Sequence, residues 1–355
     1  MGAGMENSAR TARRRLPVRR GGVIFSRMAR VPRVAFLCCT AILSCLIVAG
    51  CHHAPSEAGL TKMTLQSDWY PQPEHGGFYT ALVKGYYRDA GLDVSIQPGG
   101  PYVSVEQQVS VGAAQVGMSS SDKILESIAD GEPLIAVAAT MQHDPQGIMV
   151  RKDSPIRSFG DLNGHTVAIK TGSTWWEFIE KHYGLTNVHE IPAMMNVANF
   201  VANPDYIQQA FATSEPFFAQ QAGIETRVLL TSEAGYGPYR VMFTTRAFLE
   251  QHPDAVGKFV DASVRGWRDY LNDPSAAHAA IMKLNPALNA EWMEFTWKAL
   301  RDGHFVAGDD PGGAELGRMN AERWNTMYQQ LVDLKVIEKQ FDPASAYTLR
   351  FVGTK

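Results

Sequence analysis

Asp68-Trp69-Tyr70, followed by His75, sets a carboxylate, two aromatic rings and an imidazole close together in the chain. Flat heterocycles stack on such rings, and their nitrogens need paired donors and acceptors. Asp68 supplies an acceptor, and Gln142 and Glu215 are further candidates. Left unpaired in a closed cleft, each polar ligand atom would cost about 1–3 kcal/mol. Ser119-Ser120 and Gly172-Ser173 each stand just ahead of an expected helix, where free amides and the positive end of the dipole favour a polar ligand atom. Trp175 and Tyr236 complete the set of candidate binding residues. Trp175 is preferred to Trp176 because adjacent helix positions diverge by about 100° and only one can readily face a cleft.

Each candidate has a structural alternative. Trp69 could cover a core edge, His75 could cap the next helix, and Glu215, before Pro216-Phe217, could serve packing alone. The residue types do not assemble an enzyme. Ser119-Ser120-Ser121 lacks the glycine-flanked elbow of a hydrolase nucleophile. Ten histidines show no metal-ligand spacing. No catalytic residue, metal or cofactor is expected.

The elements that must position these residues alternate between strand and helix. Strands are expected at 62–67, 92–96, 113–118 and 134–140, with helices at 78–90, 103–111 and 123–129 between them. Pro71, Pro73 and Gly76-Gly77 make 68–79 a strand-to-helix loop. A second unit follows, with strands at 148–151, 165–170, 188–191 and 227–230. It has a helix at 175–183, with Thr174 and Glu177 spaced as a capping box, and a helical stretch at 207–211. After a strand at 239–244 the chain is helical almost to its end, and Trp267, Trp292, Trp297 and Trp324 fall on helical spacing, as for a core. The order argues for mostly parallel α/β sheets, whose ligands sit at the carboxyl ends of the strands.

Residues 1–50 read as an export signal. Nine arginines and Glu6 precede an apolar run over 34–48, and small residues lead to Cys51. The Ala49-Gly50-Cys51 junction resembles a bacterial lipobox, so Cys51 is the expected lipidation site. Met28–Cys51 alone has the proportions of such a signal, which makes Met28 a candidate start. Cys38, Cys39 and Cys45 fall inside the signal, leaving no internal disulfide for the mature chain. Residues 51–61 read as a linker. Without residues 1–50 the chain carries 24 Lys and Arg against 35 Asp and Glu, a formal −11, which argues against a nucleic-acid partner. Its length exceeds what one core usually serves, so two lobes are expected.

Asp68-Trp69-x-Pro71, His75-x-Gly77 and Gly91-Leu92-Asp93-Val94 resemble the opening of periplasmic binding proteins for thiamine-pyrimidine precursors. Residues 159–168, with Asp161-Leu162-Asn163-Gly164 followed by Val167-Ala168, resemble a segment of the wider superfamily that includes sulfonate, taurine and nitrate binders. The resemblance implies a two-lobed type II periplasmic binding protein fold with a ligand cleft between the lobes. It places lobe one at 62–147 and 240–355, lobe two at 148–239, and the hinge crossings near 146–150 and 237–241. It further implies a monomeric, lipid-anchored capture protein on the periplasmic side or cell surface, which delivers a small solute to an inner-membrane ABC permease. Carried over by position, Trp69, His75, Ser119, Ser120, Gly172, Ser173 and Glu215 would line the site. Rival ligands are sulfonate-like anions, which Asp68 and Glu215 would repel. A sensing lipoprotein is a second rival. The fungal pyrimidine synthase of the same superfamily is a third, but its cysteine-rich iron site has no counterpart here beyond Cys51.

Overall fold

A computed structural model describes residues 59–194, 196–310 and 313–352. The expected signal, Cys51 and the linker up to residue 58 lie outside the described residues. The first sheet contains β1 (Thr61–Gln66), β2 (Leu92–Gln97), β3 (Val116–Ser120), β4 (Leu134–Met141) and, from far along the chain, β10 (Arg240–Thr245). Its order is β2-β1-β3-β10-β4. The second contains β5 (Gln146–Arg151), β6 (Thr166–Ile169), β7 (His189–Pro192), β8 (Ile207–Phe211) and β9 (Thr226–Leu230), in the order β7-β6-β8-β5-β9.

Each sheet is mixed rather than uniformly parallel. β10 runs antiparallel to β3 and β4, and β5 runs antiparallel to β8 and β9. Both are the strands by which the chain arrives from the other sheet, so they enter from the opposite end.

Side-chain alternation explains the layering. Met242 faces one core, while Val241 and Phe243 face another across the first sheet. In the second sheet Met149 faces one core, and Ile148 and Val150 the other. Helices cover both faces. Chain order gives α1 (Gly76–Val83), α2 (Tyr86–Asp89), α3 (Val105–Ser110) and α4 (Ser121–Ala129) around the first sheet. The second sheet has α5 (Thr174–Tyr183), α6 (Ala198–Ala202) and α7 (Glu215–Gln221). The chain then returns through α8 (Arg246–Gln251), α9 (Pro253–Asn272), α10 (Ser275–Leu284), α11 (Ala290–Asp302) and α12 (Ala321–Asp333). On α9, Val256, Phe259, Val260, Ser263, Trp267 and Tyr270 recur at helical spacing and are all buried. No helix among the described residues is long and apolar enough to cross a membrane. All four cores lie between Met63 and Ala346, inside a compact unit running from His53 to Lys355. That segment therefore holds its own cores and folds as a unit.

Several local expectations need correction. Residues 207–211 form β8, not a helix, because the strand fills the gap between β6 and β5 and takes a partner on each side. The expected helix over 78–90 breaks at Gly85, whose φ of 78° ends α1 before α2 begins. Gly76 and Gly77 are helical and serve close packing, not a turn. A Cβ on Gly77 would stand 2.1 Å from the Trp267 ring, and one on Gly76 would stand 2.1 Å from Tyr270. The capping box at Thr174 does not form. Ser173 is the N-cap and makes no side-chain cap bond, while Thr174 Oγ1 donates to Glu126 at 2.7 Å. The last long helix starts at Ala321, where the Asn320 side chain caps it by accepting from the Arg323 N–H.

Candidate functional site

Register gathers the site at one rim. Arg240 pairs with Ser120 on β3 and Met141 on β4, so the start of β10 lies beside the carboxyl ends of both strands. The end of β1 leads directly into Asp68. In the second sheet Gln146 pairs with Phe211, which puts the end of β8 at the same crossing. The Arg240 guanidinium lies over the Phe211 ring at 5.7 Å and so joins the two rims.

Arg240 and Asp144, which the sequence reading missed, are the electrostatic centre. Arg240 binds Asp68 Oδ2 at 2.7 Å and approaches Asp144 Oδ2 at 3.8 Å. The imidazole of His75 pairs through Nε2 with Asp68 Oδ1 at 2.8 Å. Burial alone would raise the Asp68 carboxyl, but Arg240 and His75 together hold it below its usual range. Burial wins at Asp144, whose carboxyl is pushed up despite Arg240. An ion pair joining residues so far apart in the chain leaves no local motif, although the position of Arg240 on the crossing strand was a usable signal.

The proposed candidates divide into two groups. Trp69 is half-buried, meets Tyr70 edge to face at 5.6 Å, and its carbonyl accepts from Gly99 N–H. Tyr70 is 49 % exposed. Ser120 is buried at the N-cap of α4 with no side-chain cap bond. Gly172 and Ser173 stand at the start of α5, where the Ser173 hydroxyl donates to the Lys170 carbonyl at 2.6 Å and leaves the backbone as the free part. These remain candidate contacts. The others are occupied within the protein. Ser119 donates to Glu106 in a short hydrogen bond. Both amide hydrogens of Gln142 go to the Glu315 and Arg318 carbonyls, at 2.7 and 2.9 Å. Glu215 accepts from the Phe211 N–H at 2.8 Å and braces its own loop. The Tyr236 hydroxyl donates to Asp122 at 2.7 Å in the interior. His75 is fully buried against Asp68, which makes it a positioning residue for that carboxylate.

Helix α5 makes a further contact between the two sheet layers. Trp176 is buried in a core of the second sheet, whereas Trp175 and Phe178 pack against that core and also against one core of the first sheet. Phe178 lies 5.2 Å from the Tyr236 ring, and Lys181 Nζ donates to the Asp333 carbonyl.

Glu74 forms a second link across the rim. It accepts from Thr213 Oγ1 at 2.7 Å, and the Thr213 carbonyl accepts from Thr296. Its other carboxylate oxygen has no partner, and burial pushes the group up to about 7. The folded protein therefore keeps a proton that the unfolded chain loses from about pH 4.5 upward. Stability falls as pH rises from about 4.5 to 7, by on the order of 3 kcal/mol in total. Glu74→Gln keeps the acceptor for Thr213 and removes this loss. Its melting temperature should exceed that of the parent at pH 8 and match it near pH 4.5, as read by calorimetry at both pH values.

Taken together, Asp68, Asp122, Asp144, Glu106 and Glu126 surround Arg240 and Lys123, with Glu74 adding its charge only above about pH 7, and Lys123 is itself paired with Glu126 at 2.5 Å. Such a field favours a neutral or cationic ligand over an anion. Among the described residues no group of three His, Cys, Asp or Glu is arranged to hold a metal.

Comparison with known proteins places this geometry in context. The sequence profile described as NMT1/THI5 like matches residues 72–277. The riboflavin-binding protein RibY of Chloroflexus aurantiacus is 22% identical over 304 residues, covering 82% of this chain and 86% of that protein. A 4-amino-5-hydroxymethyl-2-methylpyrimidine phosphate synthase of Saccharomyces cerevisiae, THI11, is 26% identical over 248 residues, covering 64% of this chain and 72% of that protein. Among solved structures, the putative periplasmic sulfonate-binding protein SsuA of Methylobacillus flagellatus superposes with a TM-score of 0.61 at 13% identity, covering 83% of this chain and 93% of that one. The two mixed sheets with their helical layers are thus the two-lobed periplasmic binding protein fold, and the chain belongs to the NMT1/THI5 like family.

Proposed function

We propose that this chain is the solute-capture component of an ABC importer. Exported and held at the membrane by a lipid on Cys51, it would close its lobes on a small nitrogen heterocycle and deliver it to a permease. The ligand class is a thiamine-pyrimidine precursor or a related vitamin. Lobe one would carry the first sheet and the returning helices, and lobe two the second sheet. The exchanges between lobes then fall between Met141 and Gln146 and between Leu230 and Arg240. The observation that carries this reading is the rim itself: the exposed ring of Tyr70 and the half-buried ring of Trp69 beside an excess of carboxylates around Arg240. Stacking on one such ring supplies about 0.5–1.5 kcal/mol beyond burial, and the acidic field suits a protonated or amine-bearing ring. A sulfonate would meet those same carboxylates.

Capture is favoured over synthesis because the central charges of the rim form a structural network and, among the described residues, no set with the chemistry of the synthase accompanies them. His75 pairs with Asp68, Asp68 with Arg240, and Tyr236 with Asp122, and the sequence supplies neither a hydrolase nucleophile elbow nor cysteines for an iron site. The test is thermal melting of residues 53–355 with thiamine, its pyrimidine precursors, riboflavin, taurine and an alkyl sulfonate. A true ligand at a hundred times its dissociation constant should stabilise the fold by about 2.7 kcal/mol. A shift with a pyrimidine or flavin supports the proposal, and a shift confined to the sulfonates overturns it.

A further inference from the structure

A hollow of about 340 Å³ lies on lobe one, lined by none of the rim residues. One wall is the flank of α9 beside its buried stripe, where Asp261, Arg265 and Arg268 follow one another at three- and four-residue steps. The segment carrying Arg318 forms the facing wall. Val264, Leu316, Phe351 and Val352 give the hollow an apolar lining.

Three guanidinium groups thus share one cavity with a single carboxylate, on a chain whose overall charge is acidic. None of the three has a hydrogen bond or ion pair to a described side chain. Arg265 is held by its stacking over the Tyr86 ring at 3.7 Å. Asp269, the acid whose charge it feels, is already bound by Lys84 at 3.0 Å and by the Tyr86 hydroxyl. Three like charges outnumber the one carboxylate of the hollow and repel one another, and a bound anion reduces that repulsion. Guanidinium forks match the paired oxygens of phosphate or carboxylate, and the apolar lining would cover an attached hydrocarbon. The volume falls in the range of small-molecule pockets.

We propose that this hollow is a second binding site, taking an anionic group of the phosphate-monoester or phosphodiester type carried on an apolar stem. Such a group is offered by a soluble organic phosphate or by the headgroup of an anionic lipid. The wall bearing Arg318 is tied to the end of β4 through Gln142, whose amide binds the Glu315 and Arg318 carbonyls.

The test uses residues 53–355 in calorimetric titrations with hexyl phosphate and with inorganic phosphate. Flotation assays with phosphatidylcholine vesicles, with and without phosphatidylglycerol, complete it. Hexyl phosphate should bind roughly tenfold or more tightly than inorganic phosphate, since its stem buries several methylenes. Arg265→Gln with Arg268→Gln, both at exposed positions, should weaken it roughly tenfold or more while melting as the parent does. Arg318→Gln should act in the same direction, and Trp69→Ala should leave this binding unchanged. Flotation that needs phosphatidylglycerol and is lost in the arginine variants assigns the site to lipid headgroups. Hexyl phosphate binding without flotation assigns it to soluble phosphates. Absence of hexyl phosphate binding, equal affinity for inorganic phosphate, or binding indifferent to the arginine variants overturns the proposal.

Discussion

Replacing Arg240 with Met should lower the melting temperature at pH 7.5 by about 5–8 °C, the largest loss expected from any single polar side chain at the rim. The substitution keeps most of the volume and removes the charge. Asp68 then retains only His75 as a charged hydrogen-bond partner, and Asp144 loses the cation that approaches it at 3.8 Å. Breaking a buried ion pair from one side costs about 3–5 kcal/mol, because the remaining charge stays desolvated. The pH dependence distinguishes this cause from simple mispacking. In the parent, Asp68 is held below its usual range, so its contribution is complete above the unfolded value near 3.8 and is lost as pH falls through the folded one. In Arg240→Met both carboxyls rise, and their protonation on acidification relieves the unpaired charge. The gap to the parent should therefore narrow on acidification, and adding Asp68→Asn with Asp144→Asn should restore part of the melting temperature at pH 7.5. A gap that stays constant across pH would mean that Arg240 acts by packing against Phe211.

The same residue marks where reading the sequence stops. The elements announced by their own chemistry were legible. Eight consecutive buried residues make β4, and strict alternation makes β2. Both signals are local, and the fold class followed from their order. Residues 207–211 were misread because five residues are too few to separate a period of two from one of 3.6. Only the neighbouring strands decide that Ile207 and Gln208 belong in a ladder. Gly76-Gly77 looks like a turn in isolation, and its true role depends on Trp267 and Tyr270, nearly two hundred positions away. Polar candidates suffered most from this limit. Gln142, Glu215 and Tyr236 were plausible ligand partners by type, yet their polar atoms are bound by Arg318, Phe211 and Asp122, contacts that exist only after folding. For tryptophans the local pattern says more about burial, because a tryptophan on one side of an amphipathic helix, such as Trp267 or Trp324, has few places to go but the core.

Trp175 and Trp176 turn that last point into an experiment, and they should separate stability from capture. Their rings meet edge to face at 5.9 Å, but Trp176 is 2% exposed within the second-sheet core while Trp175 reaches the first-sheet core as well. Trp176→Ala should cost about 3–5 kcal/mol of folding stability, the usual range for emptying a buried tryptophan site. Trp175→Ala removes a bridge between lobes and leaves each core closed, so its melting temperature should fall much less. Under the proposed capture role, the bridge supports the closed state that holds solute. An equilibrium biased toward opening reduces apparent affinity by the fraction of closed protein that is lost. A loss of about 1.4 kcal/mol of closure energy therefore weakens ligand binding roughly tenfold. Small-angle scattering without ligand should show a larger radius of gyration for Trp175→Ala than for the parent, and saturating ligand should bring the two together. If affinity drops while the radius stays unchanged, Trp175 touches the solute directly. If both are unchanged, α5 closes the lobes through Phe178 and the Thr174–Glu126 hydrogen bond, and the aromatic part of the site is confined to Trp69 and Tyr70.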